Sequence, residues 1–211
     1  MADELVFYTN PRSRGRIVRW MLEEIGQPYR TEVLEYATTM KAPAYLAINP
    51  MGKVPALRHG DTVITEAAAI CAYLADAFPQ VRLAPPPADR LRGLYYRWMF
   101  FGAGPVEAAV TNKAFGFVVP AEREGSVGYG NFDRVMNVLE AAVSRGDYLV
   151  GDYFTAADVY VGSQIGFGLM FKTIEPRPAF QQYWQRIIAR PAYARARQLD
   201  DALMPPQKAA G

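Results

Sequence analysis

Cysteine and histidine are nearly absent from this chain, which holds one of each in 211 residues. The lone Cys71 rules out an internal disulfide, and a single histidine, His59, leaves no cluster of the kind that builds a zinc site. Charge of one sign is scarce too. The 23 Lys and Arg stand against 21 Asp and Glu, a formal net charge of +2, so no strong field points to nucleic acid, although a local basic patch is compatible with these numbers. Asp3 and Glu4 precede only four apolar residues, too few for a signal peptide or a membrane-spanning helix. The expectation is a cytoplasmic, metal-free protein with neither a membrane nor a nucleic-acid partner. What the chain has in quantity is apolar residues, 51% of the total, enough for a sizeable core in one large domain or two small ones.

The first third alternates strand and helix signals. Leu5-Val6-Phe7-Tyr8 reads as a short buried strand, and Asn10-Pro11-Arg12-Ser13 as a turn ending in a good helix N-cap residue. Ile17, Val18, Met21, Leu22 and Ile25 recur at helical spacing until Gly26, which with Pro28 just beyond makes a helix stop. Tyr29, Thr31 and Val33 alternate as a second strand, so strand, helix and strand open a parallel pair joined by a crossover. Ala56-Leu57-Arg58, a turn at His59-Gly60-Asp61, the strand Thr62-Val63-Ile64 and a helix carrying Ala69, Ile70, Tyr73 and Leu74 complete the unit near Phe78. This order resembles the thioredoxin-like fold.

Pro79 and the stiff stretch Arg82-Leu83-Ala84-Pro85-Pro86-Pro87 mark the expected boundary. We therefore expect an α/β thioredoxin-like domain over residues 1–80, a linker over 81–88 and an all-α domain over 89–211. In the last, Leu91, Leu94, Tyr95, Trp98, Met99 and Phe101 form an apolar face broken at Gly102-Ala103-Gly104-Pro105. Phe132, Val135, Met136, Leu139 and Val143 form another, ending at Gly146. Thr155 with Asp158 three residues on approximates a capping box, and Phe154 and Val159 can close a hydrophobic staple over it. The helix that follows carries Gly162, Gly166 and Gly168, each costing about 1 kcal/mol relative to Ala, so it needs both the cap and tight packing.

The most informative stretch is Asn49-Pro50-Met51-Gly52-Lys53-Val54-Pro55-Ala56-Leu57, followed by Thr65-Glu66-Ala67 at a helix start. Pro55 cannot donate to a sheet ladder and so sits at a strand start or edge, leaving the N–H and C=O of Val54 for an outside partner. A cis Val54-Pro55 bond would present that backbone to an extended ligand by strand addition. Glu66, in the first turn of its helix, is favoured by the positive end of the dipole and can hold an ammonium group. Taken singly, Pro55 is compatible with an ordinary strand edge and Glu66 with a helix-capping charge.

In combination these residues resemble the glutathione-binding signature of the cytosolic glutathione transferases. There a cis-proline loop pairs with the cysteinyl backbone of the tripeptide, and an acidic residue followed by a small one holds its γ-glutamyl end. The resemblance implies glutathione as co-substrate, Val54 and Pro55 as the cysteinyl dock, and Glu66 with Ala67 at the γ-glutamyl group. The small position is often Ser in the family, so here only the backbone N–H of Ala67 serves. Lys41 and Lys53 flank the proposed groove and can meet the glycyl carboxylate. The resemblance also implies a homodimer, and a folding role for the Thr155 capping box.

A thiol with a pKa near 8.5 is only a few per cent thiolate at neutral pH, and each unit of depression takes about 1.4 kcal/mol of selective stabilisation of the anion. A charge-assisted hydrogen bond contributes about 1.5–3 kcal/mol and a helix N-terminus roughly 0.3–1 kcal/mol, so one hydroxyl over the first helix suffices. Two hydroxyls compete. Ser13 stands at the helix mouth in an Asn-Pro-x-Ser-x-x-Arg setting that resembles the bacterial, theta-like and beta-like serine branches. Tyr8 ends the first strand, where tyrosine-type members carry their phenol, and Arg14-Gly15-Arg16 is similar to the triplet that follows it. The spacing from Tyr8 to that triplet is longer here than in the tyrosine branch, which favours Ser13.

Arg12, Arg14, Arg16 and Arg19 crowd the helix start, where they oppose the dipole. They either attract an anionic tripeptide, with Arg16 supporting the thiolate, or form a solvated basic face. Cys71 reads as a small core residue. For a small apolar electrophile, Phe101, Phe115 and Phe117 are the better lining candidates among the aromatics, which include Tyr95, Trp98 and Phe167. Residues 122–130, with three glycines, read as a mobile cover. The expected activity is glutathione transfer. Peroxide reduction, isomerisation and dehalogenation are alternatives on the same site, and a non-catalytic binding protein is the alternative of a different class. A disulfide reductase is disfavoured because no cysteine stands near the first helix start.

Overall fold

The computed structural model describes residues 3–204. The chain divides into two compact units, one of Met1–Leu74 with Arg190–Gly211, the other of Ala75–Ala189.

The first unit is built on four strands, β1 (Leu5–Thr9), β2 (Arg30–Val33), β3 (Ala56–His59) and β4 (Thr62–Thr65), in the order β2-β1-β3-β4. β1 runs parallel to β2 and antiparallel to β3, and β3 is antiparallel to β4. Helix α1 (Gly15–Ile25) makes the parallel crossover and stops at Gly26, whose φ of 68° only glycine adopts freely. Side chains alternate across β1. Val6 and Tyr8 pack with Met40, Tyr45 and Ala56 under the short helix α2 (Pro43–Leu46), whereas Phe7 lies on the other face, beneath Arg19 of α1. A single residue, Glu66, joins β4 to α3 (Ala67–Ala77). It must reverse the chain alone, and it does so in the left-handed region at φ 68°.

The last described helix, α9 (Pro191–Ala202), belongs to this unit and lies along α1. Trp20 meets Tyr193 edge-on at 4.9 Å, and Arg190 clasps Glu24 at 2.6 and 2.7 Å. Arg19 and Asp200 form a buried pair at 3.0 Å. Arg19 is therefore neither part of a solvated face nor available to a ligand. It also donates to Tyr29 and Thr31 and stacks on Phe7.

The second unit is helical: α4 (Leu91–Phe101), α5 (Glu107–Ala114), α6 (Phe132–Val143), α7 (Ala156–Met170) and α8 (Pro178–Ile188). The expected break at Gly102-Ala103-Gly104-Pro105 does not occur. Residues Gly102–Val106 form a π-helical turn that carries α4 into α5. A wider turn accommodates the N–H that Pro105 lacks and relieves its ring, so the helical path continues. A 3₁₀ turn spans Ala121–Ser126, and Glu124 accepts from Asn131 at 2.8 Å. The proline-rich stretch is packed into this unit, with the Leu83 carbonyl accepting from Ala156 and the Pro85 carbonyl from Arg92.

Helix α7 is buried along most of its length. A Cβ at Gly162 would meet Ile187, one at Gly166 would lie 2.5 Å from the Trp184 ring, and one at Gly168 would meet Ile174. Close approach is what the three glycines provide, as their cost required. The capping box is formed: Thr155 Oγ1 accepts from Ala157, and Asp158 accepts from the backbone of Thr155. Asp158 also takes bonds from Leu149 N, Thr155 Oγ1 and Tyr183 Oη.

Candidate functional site

Strand register gathers the candidate residues. Tyr8 pairs with Ala56, and Ala56 with Thr65, so three segments leave the sheet at the same end. These are the turn after Thr9, the Val54-Pro55 loop before Ala56, and Glu66-Ala67 after Thr65. Strand spacing of about 4.8 Å puts roughly 10 Å between the outer two.

The Val54-Pro55 bond is cis. The N–H and C=O of Val54 have no partner among the described residues, while its side chain packs against the Tyr8 and Tyr45 cluster. The preceding loop is held firmly. Tyr45 Oη donates to the Lys53 carbonyl at 2.6 Å and Asn49 Nδ2 to the same oxygen at 2.8 Å, while Asn49 Oδ1 accepts from Met51 N. Burial pushes the Tyr45 phenol up to about 12, so it stays a donor. Lys41 Nζ donates to the Gly52 carbonyl at 2.8 Å. Gly52 has a φ of 57°, and a Cβ there would lie 2.9 Å from the Met40 carbonyl oxygen and 3.0 Å from Lys41 Nζ. Lys53 is exposed. The roles of Tyr45 and Asn49 carry no mark in the sequence, although Asn49-Pro50 is legible as a turn, because what a side chain braces is a tertiary fact.

Glu66 lies just before the first turn, not within it. Its carbonyl accepts the first helical bond, from Ile70 N at 2.9 Å, which makes it the N-cap of α3. The carboxylate is exposed and has no partner among the described residues. Ala67 opens the helix with its N–H unpaired among the described residues, as helix geometry dictates.

Ser13 also sits one step earlier than expected, since α1 begins at Gly15 with Arg14 at the N-cap position. Ser13 Oγ donates to the Asn10 carbonyl at 2.7 Å and accepts from Gly15 N at 2.9 Å. Only glycine fits at 15, because a Cβ would collide with Thr9 Oγ1 and lie 2.9 Å from Ser13 Oγ. Asn10 ties the turn to the sheet by donating to the Leu34 carbonyl and accepting from Arg12 N. Tyr8 is 9% exposed, with its ring 5.7 Å from that of Tyr45. Arg16 donates to the Pro11 carbonyl at 2.6 Å and to Asp201 at 2.8 Å. Cys71 is wholly buried, and burial pushes its thiol up.

Among the aromatics in the second unit, Tyr95 and Trp98 are core. Phe101 is half-buried, edge-on to Trp98 at 5.6 Å. Phe115 and Phe117 are 72% and 66% exposed. Among the described residues no helix is long and apolar enough to cross a membrane, and no group of three or more His, Cys, Asp or Glu could hold a metal ion.

Comparison with known proteins bears on the family and the fold. A model of the glutathione S-transferase N-terminal domain matches residues 13–77 and one of the C-terminal domain residues 114–191. The glutathione S-transferase-like protein tpcF of Aspergillus fumigatus is 31% identical over 194 residues, covering 81% of this chain and 84% of the relative. The chain belongs to the glutathione S-transferase family. A probable glutathione S-transferase, GSTF2, of Oryza sativa subsp. japonica is 28% identical, covering 82% and 85% of the two chains. A glutathione transferase of Phanerochaete chrysosporium, solved in complex with oxidized glutathione, superposes with a TM-score of 0.79 at 26% identity, covering 96% and 98%. The four-stranded mixed sheet and the helical second unit are the fold of this family.

Proposed function

We propose that this chain is a serine-type glutathione transferase that binds glutathione across the sheet end and activates its thiol for attack on an apolar electrophile. The observation that carries the reading is the main chain of Val54, unpaired among the described residues and preceded by a Lys53 carbonyl that Tyr45 and Asn49 hold, between a hydroxyl on one side and, on the other, a carboxylate with no partner among the described residues. An extended tripeptide spans roughly 10–11 Å, which matches the three-strand width. Val54 pairs with the cysteinyl backbone beside Pro55, and Glu66 with the Ala67 N–H holds the γ-glutamyl end. Lys41 and Lys53 offer charge toward the glycyl carboxylate.

Ser13 is the proposed thiolate donor. Its proton now rests on the Asn10 carbonyl, a neutral bond worth about 0.5–1.5 kcal/mol, whereas a bond to a thiolate is worth about 1.5–3 kcal/mol. Turning the hydroxyl toward sulfur is therefore favourable, and the Gly15 N–H remains on Oγ to polarise it. Tyr8 is the alternative donor, with its ring in the cluster under Val54. Exposed Phe115 and Phe117 and half-buried Phe101 supply apolar surface for an electrophile.

Titrating the thiolate absorbance of bound glutathione tests this. The wild type is expected to lower the thiol pKa by one to two units (about 1.4–2.7 kcal/mol), and Ser13→Ala to return most of that. If Tyr8→Phe does so instead, the donor is Tyr8. If neither variant raises the bound thiol's pKa, the chain is a binding protein and the catalytic reading fails.

A further inference from the structure

We infer that Asp201, acting through Arg16, is a positioning residue for the turn that carries Ser13. The inference rests on the proposed role of Ser13 and adds to it a side chain 188 positions away in sequence. Besides its own backbone bonds, the Asn10–Arg14 turn is held by the side chains of Asn10 and Arg16. Asn10 fixes its sheet side through Leu34 and Arg12. On its helix side the Pro11 carbonyl receives no backbone N–H among the described residues, and Arg16 Nε donates to it at 2.6 Å. The Arg16 guanidinium is in turn aimed by Asp201, whose Oδ1 accepts from Nη2 at 2.8 Å while Oδ2 takes Arg197 at 3.4 Å.

The neighbouring acid shows why this pair is not simply an anchor. Asp200 and Arg19 are 1% and 3% exposed and join α9 to α1 in the core. Asp201 and Arg16 are 49% and 26% exposed, where an ion pair adds little to stability. What their geometry provides is direction. Without the carboxylate, Arg16 is free to leave Pro11, and the turn that sets the Ser13 hydroxyl loses one of its bonds to the helix, the others being Gly15 N to Ser13 Oγ, Arg16 N to the Ser13 carbonyl and Ile17 N to the Arg14 carbonyl.

The test compares Asp201→Asn and Asp201→Glu with Arg195→Gln. The last removes a separate contact between α9 and α1, the one to Glu23 at 3.2 Å, and leaves Arg16 untouched. Asp201→Asn is expected to raise the bound thiol's pKa by about half to one unit, a three- to tenfold loss of thiolate. Turnover at neutral pH should fall more than KM for glutathione changes, Asp201→Glu should restore part of the loss, and Arg195→Gln should leave the thiol pKa unchanged. Amide hydrogen exchange on the unliganded protein gives a readout that needs no glutathione. Residues 12–15 should exchange faster in Asp201→Asn, with the interior of α1 unaffected. Unchanged exchange in that turn, or an equal rise in thiol pKa in Arg195→Gln, overturns the inference. A wild type that leaves the thiol pKa unshifted sinks the proposed function instead, and the exchange experiment still decides the role of Asp201.

Discussion

Glu66 and Asp158 are both carboxylates at a helix N-terminus, and their surroundings are opposite. Asp158 is buried and accepts from four donors. Glu66 is exposed, without a partner among the described residues, on a backbone held at φ 68°. A left-handed non-glycine residue costs of order 1–3 kcal/mol. One carboxylate is used up by its own fold, and the other is presented by it at some cost to the fold. The same contrast holds between the units: α7 closes its polar groups inward, while the end of the sheet leaves the Val54 N–H and C=O and the Glu66 carboxylate without a partner among the described residues.

The sharpest way to break this comparison is Asp158→Ala. It orphans Leu149 N, Thr155 N and Tyr183 Oη in the core, and at about 1–3 kcal/mol per orphan, partly relieved by water, the second unit should lose about 3–5 kcal/mol. Urea unfolding followed by fluorescence measures this. A loss under 1 kcal/mol would show that the buried carboxylate is not what closes α7. Gly166→Ala should cost about 1–3 kcal/mol by overpacking against Trp184, with glutathione affinity of the folded protein unchanged.

Glu66→Gly should do the reverse, weakening glutathione about tenfold, or about 1.4 kcal/mol, while stability holds or rises slightly as φ 68° becomes unstrained. Calorimetric binding beside a melting curve checks both, and a fall in stability with unchanged affinity would make Glu66 a purely structural cap. Tyr45→Phe should be milder still. Asn49 still donates to the Lys53 carbonyl, so about 1 kcal/mol of stability is lost and KM for glutathione rises.

The smallest expected effect depends on pH. The hydrogen bond from Arg16 holds Asp201 below its ordinary value of 3.8. A lowered folded pKa contributes stability above that value and loses it as pH falls through the folded pKa. The gap in melting temperature between wild type and Asp201→Asn should therefore be present at pH 6 and close in acid below about pH 3.8. A gap that persists there would remove the charge from the explanation.

Much of the fold is legible in the chain itself. Helical spacing from Ile17 to Ile25, the stop at Gly26 and the Thr155 box are local signals, and each corresponds to an element found. The candidate site's line of residues is legible too, because proline, glycine and an acid at a helix start leave marks in sequence. Where expectation and fold part, the deciding interaction is not local. Gly102 to Pro105 reads as a break, yet a π turn carries the helix through. Arg19 reads as one of four surface cations, yet it pairs with a carboxylate 181 residues on.

By itself, the sequence determined the strand-helix-strand opening, the helix stop at Gly26, the Thr155 cap and the residue types at the sheet end, because backbone sterics and hydrophobic period act over a few residues. Only the tertiary structure decided which of two similar acids is enclosed, which side chains brace Val54, and that the last described helix returns to the first. Burial and partnership depend on what distant segments bring to the same place, and no spacing along the chain encodes that.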